Sequence, residues 1–345
     1  MTQIETKTDA PVSAPAQALS PLGPRKLLLL AGGGAAALLV VAVVCSFIGK
    51  ADLSQAMEIR WTRLLSGAIV GAALAVAGAA LQGLLRNPLA EPYILGVSSG
   101  AGVGVLAGVA MAGTVAGANR LDTSLLAVAG AMLTCLAVYA IAQRRGRLDP
   151  YVLLLSGVIV NVFNGALMLA LLLYVNPNEI DWFVKWSMGR LPESWARVGW
   201  TLSFSGPAVL AGWALLLYRG AAFNALSLGD TVAASSGVGV HWLRVETFVV
   251  VAVMTSAAVA LAGPIGFLGL VVPHICRLIV GPDHRLLMLS SGFAGAIFLI
   301  VADTLCRNVG QVIGLGIVPV GVLTALTGGP FFIFLLRRRG RGGRV

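Results

Sequence analysis

Long apolar runs, broken by short stretches rich in glycine, proline and charge, make up most of this chain. About 20 apolar residues in a helix cross the roughly 30 Å hydrocarbon core of a bilayer. Runs of this kind lie at 27–48, 64–85, 93–115, 125–142, 152–175, 199–218, 245–261, 267–280, 286–305 and 317–336. The pattern predicts an all-α polytopic membrane protein with about ten transmembrane helices. The run at 267–280 has only 14 residues, so by length alone it reads equally as a re-entrant segment.

Three breaks carry more than a change of direction. The first is Arg86-Asn87-Pro88-Leu89-Ala90-Glu91-Pro92. Two prolines four residues apart cannot both sit inside one helix, because each lacks an amide donor and clashes with the preceding turn. The stretch reads as a structural hinge between the second and third spans. Pro88 and Pro92 set its backbone, and Asn87 can bond nearby amides. The second is the longest polar loop, 176–198, where Trp182, Phe183 and Trp186 are expected on one side of a short helix as an interface anchor. The third is 228–244. Asp230 is a good N-cap for a short helix over 231–236, and Gly237 is a good C′ residue because it tolerates positive φ. A second short helix would run from Val240 into the next span. The result is a compact elbow with Ser235, Ser236, Gly237 and Val238 at its tip.

Composition fits a lipid setting. Of 345 residues, 58% are hydrophobic and 11% charged, whereas a soluble domain carries about a quarter charged residues. The net charge of +10 belongs to basic loops, not to a nucleic-acid surface. Sixteen Lys and Arg fall on the side that holds both termini and eight on the other, which predicts both termini in the cytoplasm. Residues 1–24 are polar and proline-bearing and read as a disordered cytosolic tail. Residues 25–339 form the membrane domain, and 340–345 a basic tail. The first apolar run is long enough to span, which argues against a cleaved signal peptide. Cys45, Cys135, Cys276 and Cys306 read as small core residues.

The chemistry these residues exclude is informative. The phosphate-cradling motif G-x-x-x-x-G-K-[ST] is absent, so ATP hydrolysis would belong to another chain. Cation-coupled secondary carriers, the alternative function, keep ionisable relays deep in the membrane. Here Asp303 lies near a span end, and His274 is the deep histidine. His274 and Cys276 are two apart, which does not place them on one helix face as metal ligands. An intramembrane metalloprotease would need H-E-x-x-H or its equivalent, also absent. No cofactor and no metal are expected. Asn161 and Asn164, with Ser156, lie along one face of the fifth span. They either line a translocation path or bond neighbouring helices.

Three blocks go further. The block 60–104 begins Arg60-x-x-Arg63 and contains the proline hinge. The second is Gly263-Pro264-Ile265-Gly266-Phe267-Leu268-Gly269-Leu270-Val271-Val272-Pro273-His274, and the third runs from Pro319-Val320-Gly321 to Phe332. In this order they resemble the permease subunits of the FecCD type, the membrane components of binding-protein-dependent ABC importers for iron-siderophores, haem and cobalamin. The resemblance covers roughly 26 to 339. It implies the BtuC-like importer permease fold, with the 267–280 run as a short, tilted span. It implies a non-enzymatic homodimer in the cytoplasmic membrane, with the path along the dimer axis. Two ABC ATPase chains would dock inside, and a periplasmic or lipid-anchored substrate-binding protein outside. Carried over residue by residue, Arg60, Arg63 and Arg307 would dock the binding protein. Asp230, Ser235, Ser236, Gly237 and Val238 would meet the ATPase. Pro150, Tyr151, Asn161, Asn164 and Trp186 would belong to the path or its gates. The family's W-x-x-G-x-L kernel is present as Trp186 to Leu191, with Arg190 where many relatives have a small residue.

Overall fold

The computed structural model describes residues 24–48, 53–114, 123–144, 147–312, 314 and 318–342. The expected polar tail, apart from Pro24, and residues 343–345 of the basic tail lie outside the described residues. Thirteen α-helices follow one another among the described residues. They are α1 (Pro24–Phe47), α2 (Leu53–Leu84), α3 (Val97–Thr114), α4 (Thr123–Ala142), α5 (Pro150–Leu172), α6 (Pro177–Ser187) and α7 (Trp195–Tyr218). Then come α8 (Gly220–Ser227), α9 (Asp230–Ser235), α10 (Val240–Ala262), α11 (Leu268–Val280), α12 (His284–Val312) and α13 (Val320–Gly342). Seven are long and apolar enough to cross a membrane, and three shorter apolar helices, in α3, α11 and α13, occupy the remaining apolar runs. The all-α polytopic expectation therefore holds.

Four local differences matter. The third run is not one helix. It opens with a turn of 3-10 helix at Pro92–Leu95, which Gly96 closes at φ 82°, and α3 starts after it. Helix α2 begins well before the apolar run does, so Arg60 and Arg63 lie within the helix and not at its end. The basic loop before α5 folds into a minimal antiparallel pair, β1 (Gln143–Arg144) and β2 (Arg147–Leu148). The 13 residues of α11 reach only about 20 Å, short of the bilayer core.

The core forms around α2, α10 and α12. The most apolar windows of α2 and α10 are 83% and 72% buried, while that of α1 is 0% buried. Inside lipid, helices associate through close packing and not through exclusion of water, so small residues decide which faces meet. Gly71 of α2 lies against the backbone of Gly295 in α12, and Gly78 against that of Gly269 in α11. A Cβ at either glycine would collide with main chain. Likewise Gly100 and Gly104 of α3 press on Gly130 and Leu126 of α4, so these two glycines, four apart in sequence, form a packing face.

Candidate functional site

Between α10 and α11 the backbone leaves helical geometry at 263–267, with Gly263 at φ 67° and Phe267 at φ 66°. Irregular backbone at membrane depth is tolerated only where protein or water satisfies its polar groups. The proline hinge supplies part of that need. The Tyr93 hydroxyl accepts the Ile265 N–H at 2.8 Å, and the Glu91 carboxylate accepts the Phe267 N–H at 2.5 Å. Pro92 packs where a side chain on Gly269 would stand. The hinge is itself braced, because Asn87 Oδ1 accepts the Leu89 N–H at 3.0 Å. On the other side of the bend, the Arg190 N–H donates to the Ala262 carbonyl at 2.8 Å, and the Gly321 N–H to that of Gly189 at 3.2 Å. Side chains on Gly189 or Gly263 would strike the carbonyls of Pro264 and Trp186. The three long sequence blocks and the Trp186–Leu191 kernel thus converge on one interrupted helix pair.

Burial raises the Glu91 carboxyl above the usual carboxylate range, and the Phe267 N–H offsets this only in part. Glu91→Gln keeps an acceptor for that amide. Glu91→Ala leaves a buried N–H unpaired, which costs about 1–3 kcal/mol. The alanine variant is therefore expected to lose thermal stability in detergent while the glutamine variant stays close to wild type. A thermal-shift measurement on both variants checks this.

A recess of about 400 Å³ opens beside the bend, bordered among others by Tyr93, Ser99, Asn161, Phe183 and Trp186. Ser99 Oγ donates to Asn161 Oδ1 at 2.6 Å, and Asn161 Nδ2 to the Tyr93 carbonyl at 3.2 Å. Asn164 Nδ2 donates to Ser99 Oγ and Thr134 Oγ1, each at 3.1 Å. Asn164 is buried and ties α5 to α3 and α4, whereas Asn161 bonds its neighbours and also lines the recess. Ser156 bonds within its own helix, to the Leu153 carbonyl. The aromatic anchor is not one-sided. Phe183 turns inward and stacks on Trp186 at 5.8 Å, while Trp182 is exposed.

One end of the bundle is built around Asp230. Its carboxylate accepts Arg86 Nη2 at 3.0 Å and Arg244 Nη2 at 2.7 Å. It therefore joins the elbow to the proline hinge and to α10. This corrects the expected N-cap. Gly229, at φ 119°, stands at the cap and Asp230 is the first helical residue, its carboxylate committed to two guanidiniums. Nor is there a second short helix, since α10 runs unbroken from Val240. The tip closes as expected for glycine at C′. Gly237 takes φ 82°, its N–H donates to Ala234 O and that of Val238 to Ala233 O, each at 3.0 Å, which is the Schellman pattern. Ser235 and Ser236 are exposed and bond back to the Val232 carbonyl. A recess of about 770 Å³ separates this elbow from the start of α5. There Pro150 opens the helix, Asp149 accepts the N–H groups of Tyr151 and Val152, and Tyr151 is exposed.

The other end holds a cluster of opposite charges. Arg63 grips Asp303 with two nitrogens, Nε and Nη2, and sends Nη1 to Glu193 at 2.8 Å. Arg190 Nη2 reaches the same Glu193 oxygen at 2.6 Å, and Arg307 Nε lies 3.3 Å from Asp303. Burial alone would raise the Glu193 carboxyl, but Arg190 and Arg63 outweigh it and hold it below the usual range. Arg60 is buried and donates to the Ser46 carbonyl at 2.6 Å. The three arginines expected to face outward are thus brought together, but Arg60 and Arg63 are buried and Arg63 is fully engaged with acids of the same chain. Sequence reasoning did not pair Asp303 or Glu193. A lone carboxylate in an apolar run is a signal that a partner exists, but that partner stands 240 residues away. His274 packs edge-on against Phe331 at 6.2 Å, and no metal-holding group of His, Cys, Asp or Glu occurs among the described residues.

Known proteins give this arrangement its context. Residues 27–338 match the FecCD transport family. A cobalamin import system permease protein of Halobacterium salinarum is 43% identical over 282 residues, 81% of this chain and 73% of its own length. The hemin transport system permease protein of Yersinia pestis is 37% identical over 287 residues, 82% of this chain and 83% of its own. A solved metal-chelate type ABC transporter chain, in an inward-facing conformation, superposes with a TM-score of 0.78 at 27% identity. It covers 90% of this chain and 99% of its own length. With the sequence blocks meeting at one point of a fold shared with these transporters, the chain belongs to the FecCD transport family, the permeases of BtuC-type ABC importers.

Proposed function

We propose that this chain is the permease subunit of an importer that carries an iron-siderophore, haem or cobalamin across the cytoplasmic membrane. ATP hydrolysis in a separate ATPase chain drives it. Two permease copies pair, two ATPases engage them from the cytoplasm, and one substrate-binding protein docks on the outside. Both termini and the Asp230 end face the cytoplasm, in keeping with the excess of Lys and Arg on that side.

One observation carries this reading: contacts run without a gap between the two charged ends. The elbow holds the hinge through Asp230 and Arg86. The hinge holds the bend through Glu91 and Tyr93. The bend holds the Trp186–Arg190 kernel through Ala262 and Pro264, and the kernel leads to Glu193 and Arg63. An ATPase that moves the elbow over the exposed Ser235, Ser236 and Gly237 and the half-buried Val238 pulls on the whole chain of contacts, as alternating access requires. Asn161, Asn164, Trp186, Pro150 and Tyr151 border the moving parts as path or gates, and Arg60, Arg63 and Arg307 form the outer docking end. The cargo classes follow the transport roles of the relatives that import cobalamin and hemin.

The test is complementation. A strain that lacks this chain and its ATPase, supplied in turn with cobalamin, haem or a ferric siderophore as sole source, is expected to grow on one of them. It should do so only when both genes are returned. Growth with the permease alone would sink the reading.

A further inference from the structure

The outer charge cluster has two layers. Arg63 and Asp303 are almost wholly buried, with side chains 3% and 4% exposed, whereas Glu193 and Arg190 are each 36% exposed. Three arginines, Arg63, Arg190 and Arg307, pair with two carboxylates, Asp303 and Glu193. Three positive charges on two negative ones make a field that favours a further anion. Glu193 is the acid at the water side. A single oxygen of it serves both Arg63 and Arg190.

Glu193 also belongs to the polypeptide that would have to move. It follows Gly189 and Arg190, whose backbone is bonded to Gly321 and Ala262. Any outward shift of this segment strips Arg63 Nη1 of its acceptor. The pair is half-exposed and worth little by itself, but its loss leaves a buried guanidinium nitrogen without its acceptor, and a carboxylate arriving from the water side restores one.

We infer that Glu193 is an internal stand-in for an acidic side chain of the docking protein, and that docking frees the 188–194 segment by exchanging one carboxylate for the other on Arg63 and Arg190. The inference rests on the outer end being the docking face for an acidic protein surface. It adds that docking and opening of the outer segment are one event.

The test uses the full chain in nanodiscs, with the acidic peptide tetraglutamate as probe and tetraserine as control. Peptide affinity is read by fluorescence anisotropy, and the freedom of residues 188–194 by amide hydrogen exchange. In the wild type, tetraglutamate is expected to bind and to speed exchange across 188–194. Glu193→Gln, which keeps size and hydrogen-bonding capacity, should bind tetraglutamate about fivefold more tightly, since a partly exposed competing pair is removed. Its 188–194 segment should exchange faster even without peptide. Glu193→Asp, which keeps the charge, should stay near wild type in affinity and so excludes a merely structural effect. Binding that weakens on Arg307→Gln, with no change in 188–194 exchange and no gain in Glu193→Gln, would overturn the exchange and leave the docking face intact. Tetraglutamate binding no better than tetraserine, in wild type and Glu193→Gln alike, would overturn both.

Discussion

Gly237→Pro, or Ser236→Trp, is expected to abolish stimulation of ATP hydrolysis by the docked binding protein while insertion and dimerisation remain intact. The elbow tip depends on Gly237 at φ 82° with its N–H bonded to the Ala234 carbonyl. Proline fixes φ near −65° and has no N–H, so it costs the tip both its left-handed turn and its closing bond. That cost falls on α9 alone, six residues whose tip is exposed, and not on the bundle core. Tryptophan at 236 leaves the backbone as it is but fills the small-residue tip that, in the proposed reading, would enter the ATPase groove. Two variants of different physical kind therefore have one expected outcome in liposomes. Full stimulation in both would show that the elbow is not the coupling surface.

Asp303→Leu is expected to lower the folded yield most among single changes at the outer end. Arg63 would keep its charge, 3% exposed, with the two bonds to Asp303 gone. Removing one partner of a buried pair costs about 3–5 kcal/mol, whereas replacing both with apolar residues is often neutral. The double change Arg63→Leu with Asp303→Leu should therefore recover much of the monodisperse protein that the single change loses. Size-exclusion profiles of the three proteins in one detergent decide it. A single variant as monodisperse as wild type would mean that the pair is not structural. The same burial alters how docking is tested. Arg63→Glu adds a third carboxylate beside Asp303 and Glu193 and would disturb folding, and Arg307→Glu would set one beside Asp303, so the neutral Arg307→Gln is the cleaner docking probe.

Much of the fold was legible because its signals are local. Apolar runs mark spans, Pro88 and Pro92 mark the hinge, and Gly237 marks the elbow's end through a backbone conformation that glycine adopts without strain. The break at Gly96 was hidden inside an unbroken apolar run, where hydropathy carries no sign of a change in backbone. Asp230 has the composition and position of an N-cap, and local propensity gives no hint that two arginines, one 144 residues away, claim its carboxylate. The outer cluster was half legible. Arg60 and Arg63 stood out by spacing, but the acids that hold Arg63 lie on α12 and in the 188–194 segment, joined to it only by the fold.

In the proposed reading this chain moves its cargo only when a separate ATPase works beneath it. The most direct test is uptake into proteoliposomes that contain the purified chain and its ATPase, with binding protein and cargo outside and ATP inside. Cobalamin, haem and a ferric siderophore are tried in turn. Uptake of one of them is expected only with ATP and ATPase both present, and is expected to persist when proton and sodium gradients are collapsed. Uptake without the ATPase, driven by an imposed proton or sodium gradient, would contradict the claim and identify a cation-coupled carrier.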